Sequence, residues 1–599
     1  MGVDSGCHPL RGFRRCLHLR APAPVVVGVG VDAGGRLVGW AVAQYASRMI
    51  RTALIVTTAA LASCAPRASS PHAAASWPQA AGPHANWIVP EATAPTAWSV
   101  ARNENILWRC PLPNSGQGGI AIAGDRIFLA TFPEQAADGP RQSNRVLGHC
   151  IDRATGTLLW SRELAGGRTS PQMYAFSDST SWSPIADGTR VWFFNSSGVM
   201  ACFMHDGTEV WRRAFRTQPD QYPFNRQCEP IAVGEHLVTI EPIAQDHARY
   251  DAARDDWNYL HAVDRATGKV AWISEDPCTF YCTPVLGPRG ILIGRGGPHD
   301  VPEKPVGLSM IDPKNGKRVW AYEPTDDGGW EALYALHSDT RYAYWFRNGR
   351  VQSHVVLDAA TGALVREQPL GEYADVLRFD PATLVPTKLV NADMRRLPDP
   401  VHPLAPGEQL HVHPQWHTNL VAGGYHWFLC TTNNRRNGLA PAGHSGPAYS
   451  LGRVHVETGR VEYMELPVGV EVGMEAGIEA GVDAAGAPKY GKPLRTKTVD
   501  ARGVEIADED RSRTDGWEID AFFPTPVVIG RHLYITTMLG TVYVLDTTAE
   551  DLDQHALVAV NDLGPLGDCW SLSGPSCADG VLYHRNAREL VAIGGGRAR

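Results

Sequence analysis

Residues 152–160 read D-R-A-T-G-T-L-L-W, and they return almost unchanged at residues 264–272 as D-R-A-T-G-K-V-A-W. Two weaker copies, H-D-G-T-E-V-W at 205–211 and D-P-K-N-G-K-R-V-W at 312–320, also end in Trp. Two further copies lack the Trp: D-A-A-T-G-A-L-V, which begins at Asp358, and V-E-T-G-R-V-E-Y, which begins at Val456. Six copies of one pattern make this chain a repeat protein.

The spacing of the copies predicts the size of one repeat. The glycines of the pattern are Gly156, Gly207, Gly268, Gly316, Gly362 and Gly459, and the first four intervals are 51, 61, 48 and 46 residues. Such a period is typical of a propeller blade and not of a helical solenoid unit. An Asp or Asn side chain caps a tight turn, and the Gly takes the positive φ that the turn requires. The Trp is then expected on a buried face of the following strand.

The half of each unit that precedes this turn also repeats. Residues 183–194, 229–240 and 525–536 each contain a short strand that starts at Pro, a Gly turn and an apolar strand. Pro suits the first residue of a strand because no ladder hydrogen bond is lost there. Together with the strands on either side of D-x-x-T-G, each unit holds four antiparallel strands.

The two chain ends predict how the ring of blades closes. Residues 106–111 form one strand with no earlier partner, and residues 581–593 supply two strands before the chain stops. The N-terminal strand therefore completes the last blade and removes an open edge. The fold class is an all-β, eight-bladed β-propeller, with seven blades as the alternative because the seventh unit has lost its D-x-x-T-G. The expected blades lie near 115–165, 180–215, 228–275, 280–323, 330–370, 411–466, 521–563 and 569–596, the last completed by 104–112.

Residues 49–63 have the layout of an export signal, with a short apolar core followed by small residues. Leu61-Ala62-Ser63-Cys64 matches the lipobox of bacterial lipoproteins, which implies lipidation of Cys64. Met49 stands directly before this signal, so residues 1–48 are interpreted as a misassigned upstream start. Residues 64–103 are expected to hold the lipid anchor and an Ala/Pro/Ser-rich tether, and the propeller occupies 104–596.

Two stretches interrupt the blades. Residues near 371–410 are expected to form a Pro-rich connection, and a second insertion lies near 467–520. Within the second, residues 469–484 contain four tetrads, G-V-E-V, G-M-E-A, G-I-E-A and G-V-D-A, in which apolar residues alternate with Gly or acidic ones. The alternation fits a strand with one apolar and one acidic face, and a disordered loop is an equal alternative.

Composition excludes some classes of partner and site. The net charge of the 599-residue chain is −8, and removal of the signal brings it to about −13, so nucleic-acid binding is not expected. Nine of the 12 cysteines remain after Cys7, Cys16 and Cys64 are set aside, and an odd number excludes a complete disulfide framework. Cys278 with Cys282, or Cys569 with Cys577, could pair, and buried free thiols are the alternative.

One stretch is rich in histidine: His402, His411, His413, His417, His426 and His444. His411 and His413 would share a strand face, but Pro414 interrupts the pattern before His417. No Cys or carboxylate stands at ligand spacing, so no metal site is predicted and structural or surface histidines are favoured.

The repeated D-x-x-T-G-x-x-x-W with Pro-started strands resembles the PQQ-like, quinoprotein-type propeller repeat across most of residues 104–596. With the lipobox, the chain is similar to the propeller lipoproteins of the outer-membrane β-barrel assembly machinery and to related bacterial lipoproteins. The resemblance specifies the fold more strongly than the function. It implies a monomeric propeller in the cell envelope, on the periplasmic side of the outer membrane or at the cell surface, with envelope or outer-membrane proteins as partners.

Within this family, the resemblance divides between quinoprotein dehydrogenases and non-catalytic binding propellers. The enzymes hold PQQ over a Trp floor with Ca²⁺ and a catalytic Asp, often below a ring of adjacent disulfide-bonded cysteines. No two cysteines are adjacent here, and the repeated Trp and Asp are first of all turn and core residues. A non-catalytic binding or scaffold role without a cofactor is therefore predicted. The alternative is a PQQ-dependent alcohol or sugar dehydrogenase with PQQ and calcium.

Overall fold

A computed structural model of the chain describes residues 76–135, 142–171, 178–217, 228–279, 282–296, 305–325, 335–348, 352–379, 385–397, 406, 411–433, 448–465, 481–482, 488–489, 524–536, 540–564, 569 and 571–595. Within these ranges almost all regular structure is β. The strands form eight sheets of four or more strands, so the chain is an eight-bladed β-propeller, as predicted, and the seven-bladed alternative is wrong.

The first six blades follow one another along the chain. Blade one contains strands Ala121–Ala123, Arg126–Thr131, Gln142–Asp152 and Leu158–Pro171. Blade two contains Ile185–Ala186, Arg190–Asn195, Val199–Met204 and Glu209–Ala214, and blade three contains Ile231–Val233, His236–Pro242, Asn258–Asp264 and Val270–Pro277. Blade four contains Val285–Gly287, Gly290–Gly294, Leu308–Ile311 and Arg318–Tyr322, and blade five contains His337–Ser338, Tyr342–Asn348, Gln352–Asp358 and Leu364–Pro369. The four regular strands of blade six are His411–Ala422, Tyr425–Asn433, Ala448–His455 and Val461–Glu465.

Blades seven and eight each combine strands from both ends of the chain. Blade seven contains Val527–Ile529, His532–Thr536, Thr541–Asp546 and Leu557–Asp562, with Ile88–Val89 paired in parallel to its first strand. Blade eight contains Ser576–Ala578, Val581–Arg585, Glu589–Ile593 and Ile106–Pro111. First strands contact one another between blades eight and one, one and two, and four and five, so the first strand of a blade is its innermost.

The closure of the ring is the one predicted from the chain ends. Strand Ile106–Pro111 pairs antiparallel with Glu589–Ile593, and Ile106 is opposite Ile593. Trp108 packs against Tyr583 of the same blade, with ring centroids 5.9 Å apart. The last blade therefore obtains its outermost strand from the start of the propeller.

The D-x-x-T-G turns adopt the predicted geometry. In blade one, the Asp152 carboxylate accepts hydrogen bonds from the amides of Ala154 and Thr155 and from the Thr155 hydroxyl. These bonds, with the Thr155 hydroxyl as the largest cause, lower the pKa of Asp152. All six repeat glycines have positive φ, between 71° and 85°. The turn is thus fixed by one carboxylate and one residue without a side chain.

The repeated Trp acts between blades and not only within its own strand. A carbon added at Gly156 would lie 2.6 Å from Cε3 of Trp108, so this indole covers the turn of the next blade. The same relation joins Trp211 to Gly268, at 2.7 Å, and Trp320 to Gly362, at 2.6 Å. Indole N–H groups also donate to carbonyl oxygens of the next blade: Trp108 to Arg153, Trp160 to His205, Trp211 to Arg265 and Trp320 to Ala359. Each of these turns therefore holds the Trp side chain of the preceding blade.

Blade six is larger than the sequence predicted. The stretch expected to be a connection contains strands Ala374–Phe379 and Pro386–Ala392 and a 3₁₀-helix at Met394–Arg396. Strand Ala374–Phe379 pairs in parallel with Val461–Glu465 and buries Val376. The sheet of blade six thus has six strands, and its fourth strand is covered instead of exposed.

The predicted tether is structured from residue 76 onward. Residues 76–93, here called the plug, contact the innermost strands of five blades. Trp77 exchanges two backbone hydrogen bonds with Ile122 of blade one. Further bonds join Ala186 to Pro78, Ala232 to Gln79, Val528 to Trp87, Gly530 to Val89 and Cys577 to Thr93. The apolar residues Trp77, Trp87 and Val89 are buried, which explains why this segment packs despite its Ala- and Pro-rich composition.

Little of the second insertion is described. Of the tetrads at 469–484, only Gly481–Val482 lies in the described part, and it pairs with Pro488–Lys489. The remaining tetrad residues, like residues 1–75, lie outside the described residues. Within the described ranges, no helix has the length and apolar character needed to cross a bilayer.

The contact between the indole and the turn glycine predicts that Ala substitutions at two glycines of blade three differ in their cost to stability. Gly268 and Gly234 both have positive φ, but an added carbon meets Trp211 at Gly268 and nothing within 4 Å at Gly234. Gly268→Ala should lower the free energy of unfolding by about 2 to 5 kcal/mol, and Gly234→Ala by about 1 to 2 kcal/mol. Urea unfolding of both variants measures this. Equal losses of unfolding free energy in the two variants would contradict the contact between Trp211 and Gly268.

Candidate functional site

A cavity opens at the end of the central channel where the innermost strands begin. Its wall consists of the residues that precede or start these strands in six blades. The described lining residues are Gln117, Gly119 and Ile120 of blade one, Ser181 and Ser183 of blade two, Glu229 of blade three, Thr283 of blade four, Thr525 and Val527 of blade seven, Leu572, Ser573, Gly574, Pro575 and Ser576 of blade eight, and Ala80 and Trp87 of the plug. This set, called the channel mouth below, is mostly polar.

A chain of hydrogen bonds crosses the channel mouth from blade one to blade four. The Gly119 amide donates to the Ser183 hydroxyl at 2.7 Å, which in turn donates to Oε1 of Glu229 at 2.9 Å. The Ser183 amide donates to Oε2 of Glu229 at 2.8 Å, and the Glu229 amide donates to the Thr283 hydroxyl at 2.9 Å. Both oxygens of the only carboxylate in the described lining therefore join blade two to blade three.

The plug forms the floor of the channel mouth. Trp87 is 3% exposed and has a φ of 61°, and Ala85 two residues earlier has a φ of 55°. Such angles are uncommon for residues other than Gly, and they persist where surrounding contacts fix the backbone. Here the Trp87 carbonyl accepts a hydrogen bond from Val528, and the Trp87 amide donates to Ala81. The plug thus closes the channel at this end.

The channel mouth does not fit a calcium–quinone pair. Calcium takes six to eight oxygen ligands, usually with several carboxylates. The described lining offers one carboxylate, Glu229, and its two oxygens already accept hydrogen bonds from Ser183. In the described part of the chain, no group of three or more His, Cys, Asp or Glu residues could hold a metal ion. No chemical step through PQQ or calcium is therefore derived from these residues.

The histidine-rich stretch is only partly brought together. His402 and His444 lie outside the described residues, and His411, His413 and His417 lie in the strand His411–Ala422, where their side chains are not described. His426 is fully buried and joins two histidines that the sequence analysis did not connect with it. Nε2 of His354 lies 3.0 Å from Nδ1 of His426, and His337 is 5.5 Å from His426 between ring centroids.

The partners of these three histidines determine their tautomers. Nε2 of His426 contacts the Oδ1 of Asn419 at 3.0 Å, and Nε2 of His337 contacts the Asn419 carbonyl at 2.9 Å. Both oxygens are acceptors, so both Nε2 atoms carry the proton, and His426 then accepts from His354 through Nδ1. Burial lowers the pKa of His337 to about 4 and that of His354 to about 3, and it holds that of His426 well below its usual value. This histidine cluster is neutral and structural.

The cysteines are all unbridged in the described structure. The nine residues concerned are Cys110, Cys150, Cys202, Cys228, Cys278, Cys282, Cys430, Cys569 and Cys577, and every one is buried. Burial raises the pKa of the Cys150 and Cys577 thiols to about 12, so these thiols are poor nucleophiles. The predicted lipid-attachment residue, Cys64, lies outside the described residues.

Residues 150–274 match a PQQ-type repeat model described as outer membrane protein assembly factor BamB. The chain carries PQQ-like propeller repeats. This agrees with the resemblance found in the repeat motif itself, and the matched residues include both D-R-A-T-G turns. No curated protein sequence matches the chain.

Three solved structures are similar over most of their length. The quinohemoprotein alcohol dehydrogenase from Comamonas testosteroni is 13% identical, with 88% of this chain and 82% of that chain covered and a TM-score of 0.47. A europium-containing methanol dehydrogenase is 11% identical, with 85% of this chain and 89% of that chain covered and a TM-score of 0.42. BamB from Moraxella catarrhalis is 12% identical, with 82% of this chain and 95% of that chain covered and a TM-score of 0.31. At these values the similarities do not distinguish between enzymes and binding proteins.

The sequence contained a signal for part of the channel mouth. Ser183, Glu229, Thr283 and Thr525 each precede a Pro that stands directly before an innermost strand. Comparing that one position between repeats would have singled out Glu229 as the acidic member. No comparable signal connects His337, His354 and His426, because they lie on different strands far apart in the sequence.

The bonds of Glu229 predict a loss of stability when its charge is removed. Glu229→Gln replaces one charged acceptor oxygen with an amide group and should lower the free energy of unfolding by about 1 to 3 kcal/mol. Glu235→Gln, on an exposed turn of the same blade, should change it by less than about 0.5 kcal/mol. Chemical unfolding at pH 7.5 measures both variants. A Glu229→Gln protein as stable as the parent would show that the carboxylate does not join the blades.

The neutral histidine cluster predicts sensitivity to acid. The pKa values of these histidines are lower in the folded protein than the ordinary 6.5, so the unfolded chain binds protons first as pH falls. The stability they contribute is complete above pH 6.5 and decreases as pH falls from 6.5 toward 4. Between pH 6 and 5, each histidine should lower the free energy of unfolding by about 1 kcal/mol per pH unit. Urea unfolding across this range measures the slope, which His354→Gln should reduce, and an unchanged slope in that variant would contradict the assignment.

Proposed function

We propose that this protein is a non-catalytic binding or scaffold propeller of the cell envelope, attached to a membrane through a lipid on Cys64. The observation that carries the proposal is that residues of the chain itself fill the channel mouth. The plug forms the floor of the channel mouth, and Glu229 in its wall is engaged in hydrogen bonds between blades. A propeller channel becomes catalytic when a base and electrophilic groups converge there on a substrate, and these groups are already committed to structure.

The family match supports a more specific role. The model matched by residues 150–274 is described as an outer membrane protein assembly factor. We infer that envelope or outer-membrane proteins are the partners of this chain and that it acts in their assembly. The faces of the propeller, where connections between strands differ from blade to blade, are the surfaces available for such partners.

The lipid anchor gives a direct prediction. Cys64 follows a short apolar core and small residues, so Cys64→Ala should prevent lipidation and release the protein into the soluble fraction. Membrane fractionation with a radiolabelled fatty acid measures both effects. Ser63→Ala, which keeps the cysteine and a small residue before it, serves as the matched control and should remain attached. Parent protein found wholly in the soluble fraction without label would end the anchor proposal.

The proposed lack of catalysis is tested against the dehydrogenase alternative. The purified protein from residue 65 onward is incubated with PQQ and Ca²⁺, and dye reduction is followed with alcohols and aldose sugars. No saturable turnover is expected, because the described lining of the channel mouth provides no free carboxylate. Turnover that is abolished by a chelator would establish the dehydrogenase and overturn the scaffold proposal.

A further inference from the structure

A second cavity lies away from the channel, between the outermost strands of blades two and three. Its volume is about 590 Å³, within the range of small-molecule sites. The described lining residues are Arg213, Ala214, Phe215, Arg216, Glu241, Pro242, Ala244, His247, Arg249, His261, Val270, Ala271, Trp272 and Ile273. This set is called the blade-three cleft below.

One long connection, called the insertion below, contributes Ala244, His247 and Arg249 to the blade-three cleft. Residues 243–257 join the second and third strands of blade three. The same connection is short in blade two, residues 196–198, and long in blade four, residues 295–307. The insertion contains a 3₁₀-helix at Ala252–Arg254. Long loops added to one repeat commonly form a binding surface.

Three arginines line the blade-three cleft, and two of them have carboxylate partners. Arg213 forms two hydrogen bonds of 2.7 Å with Glu241, which is 1% exposed. Arg216 donates to the Ile243 carbonyl at 3.0 Å and pairs with Asp255, a residue of the insertion. The Arg213–Glu241 pair joins the strands Glu209–Ala214 and His236–Pro242, and the Arg216–Asp255 pair attaches the insertion to blade two. Each pair neutralises its own charge.

Arg249 differs from the other two arginines. Its guanidinium donates to the backbone carbonyls of Ile273, at 3.2 Å, and Ser274, at 2.9 Å, and it lies 5.4 Å from the ring centre of Tyr259. Among the described residues it forms no ion pair with a carboxylate. Carbonyl groups orient a guanidinium without neutralising it, so Arg249 presents a fixed positive charge at the edge of the blade-three cleft.

The blade-three cleft also has an apolar part, which Phe215, Trp272 and Ile273 form. Trp272 also differs from four other indoles of the repeat: its N–H group is buried and has no acceptor in the described structure, whereas the other four donate to a carbonyl of the next blade. Apolar side chains beside a cation that has no carboxylate partner among the described residues fit a ligand with an apolar part and a negative charge.

We propose that the blade-three cleft binds a carboxylate carried on an apolar group, with Arg249 as the contact for the carboxylate. The apolar part of the ligand lies against Phe215 and Ile273, where burial of its surface is favourable. The carboxylate meets the guanidinium, which forms stronger hydrogen bonds to charged than to neutral acceptors. This binding site is separate from the channel mouth and does not depend on the proposed scaffold role.

Isothermal titration of the purified protein at pH 7.5 tests the proposal with three probes. Hexanoate carries both features, 1-hexanol lacks the charge, and inorganic phosphate lacks the apolar part. Hexanoate is expected to bind saturably, and each of the other two should bind at least ten-fold more weakly. Equal affinity for hexanoate and 1-hexanol, tighter binding of phosphate, or no binding of hexanoate would overturn the proposal.

Variants of the insertion test the role of Arg249. Arg249→Gln should weaken hexanoate binding at least ten-fold, whereas Arg249→Lys, which keeps the charge, should weaken it less. Arg254→Gln is the matched control, since Arg254 belongs to the same insertion but lies over Trp257, outside the described lining, and it should bind like the parent. Equal loss in the Gln and Lys variants would assign the effect to loop placement and contradict the proposed contact, as would unchanged binding in Arg249→Gln.

Discussion

The contact between a Trp of one blade and the turn glycine of the next is the interaction on which this propeller depends. Each blade is a small sheet whose outermost strand has no further strand to pair with. The indole covers the neighbouring turn and, in four described cases, donates a hydrogen bond to it. The ring closes by the same contact, because Trp108 of blade eight covers Gly156 of blade one.

The inner side of the ring is held by polar contacts instead. The hydrogen bonds among Gly119, Ser183, Glu229 and Thr283 link four successive blades, and the plug contacts five. Because these contacts occupy the channel mouth and the innermost strands beside it, the surfaces considered for specific binding are the faces and the long connections between strands. The blade-three cleft is an example, since the 15-residue insertion contributes part of its lining, including Arg249.

The repeat made most of the fold predictable. The D-x-x-T-G turns, the positive φ of their glycines, the four strands per blade and the closing strand Ile106–Pro111 all follow from local rules of turn and strand chemistry. The two-stranded addition to blade six was missed because its strands pair with a distant strand and have no counterpart in other blades. The plug was missed because its Ala- and Pro-rich composition indicates a tether, while its order comes from burial of Trp77 and Trp87 in the channel. The histidine cluster and the blade-three cleft depend on three-dimensional proximity that no local pattern encodes.

A double-mutant cycle between Trp211 and Gly268 tests the inter-blade contact most directly. The free energies of unfolding of the parent, Trp211→Ala, Gly268→Ala and the double variant are measured by urea unfolding. If the indole rests on the glycine, the added methyl group meets no ring once Trp211 is removed, so the cost of Gly268→Ala should fall to that of a positive φ alone, about 1 to 2 kcal/mol. Additive losses in the double variant would show that the two residues do not interact and would contradict this account of how the blades are joined.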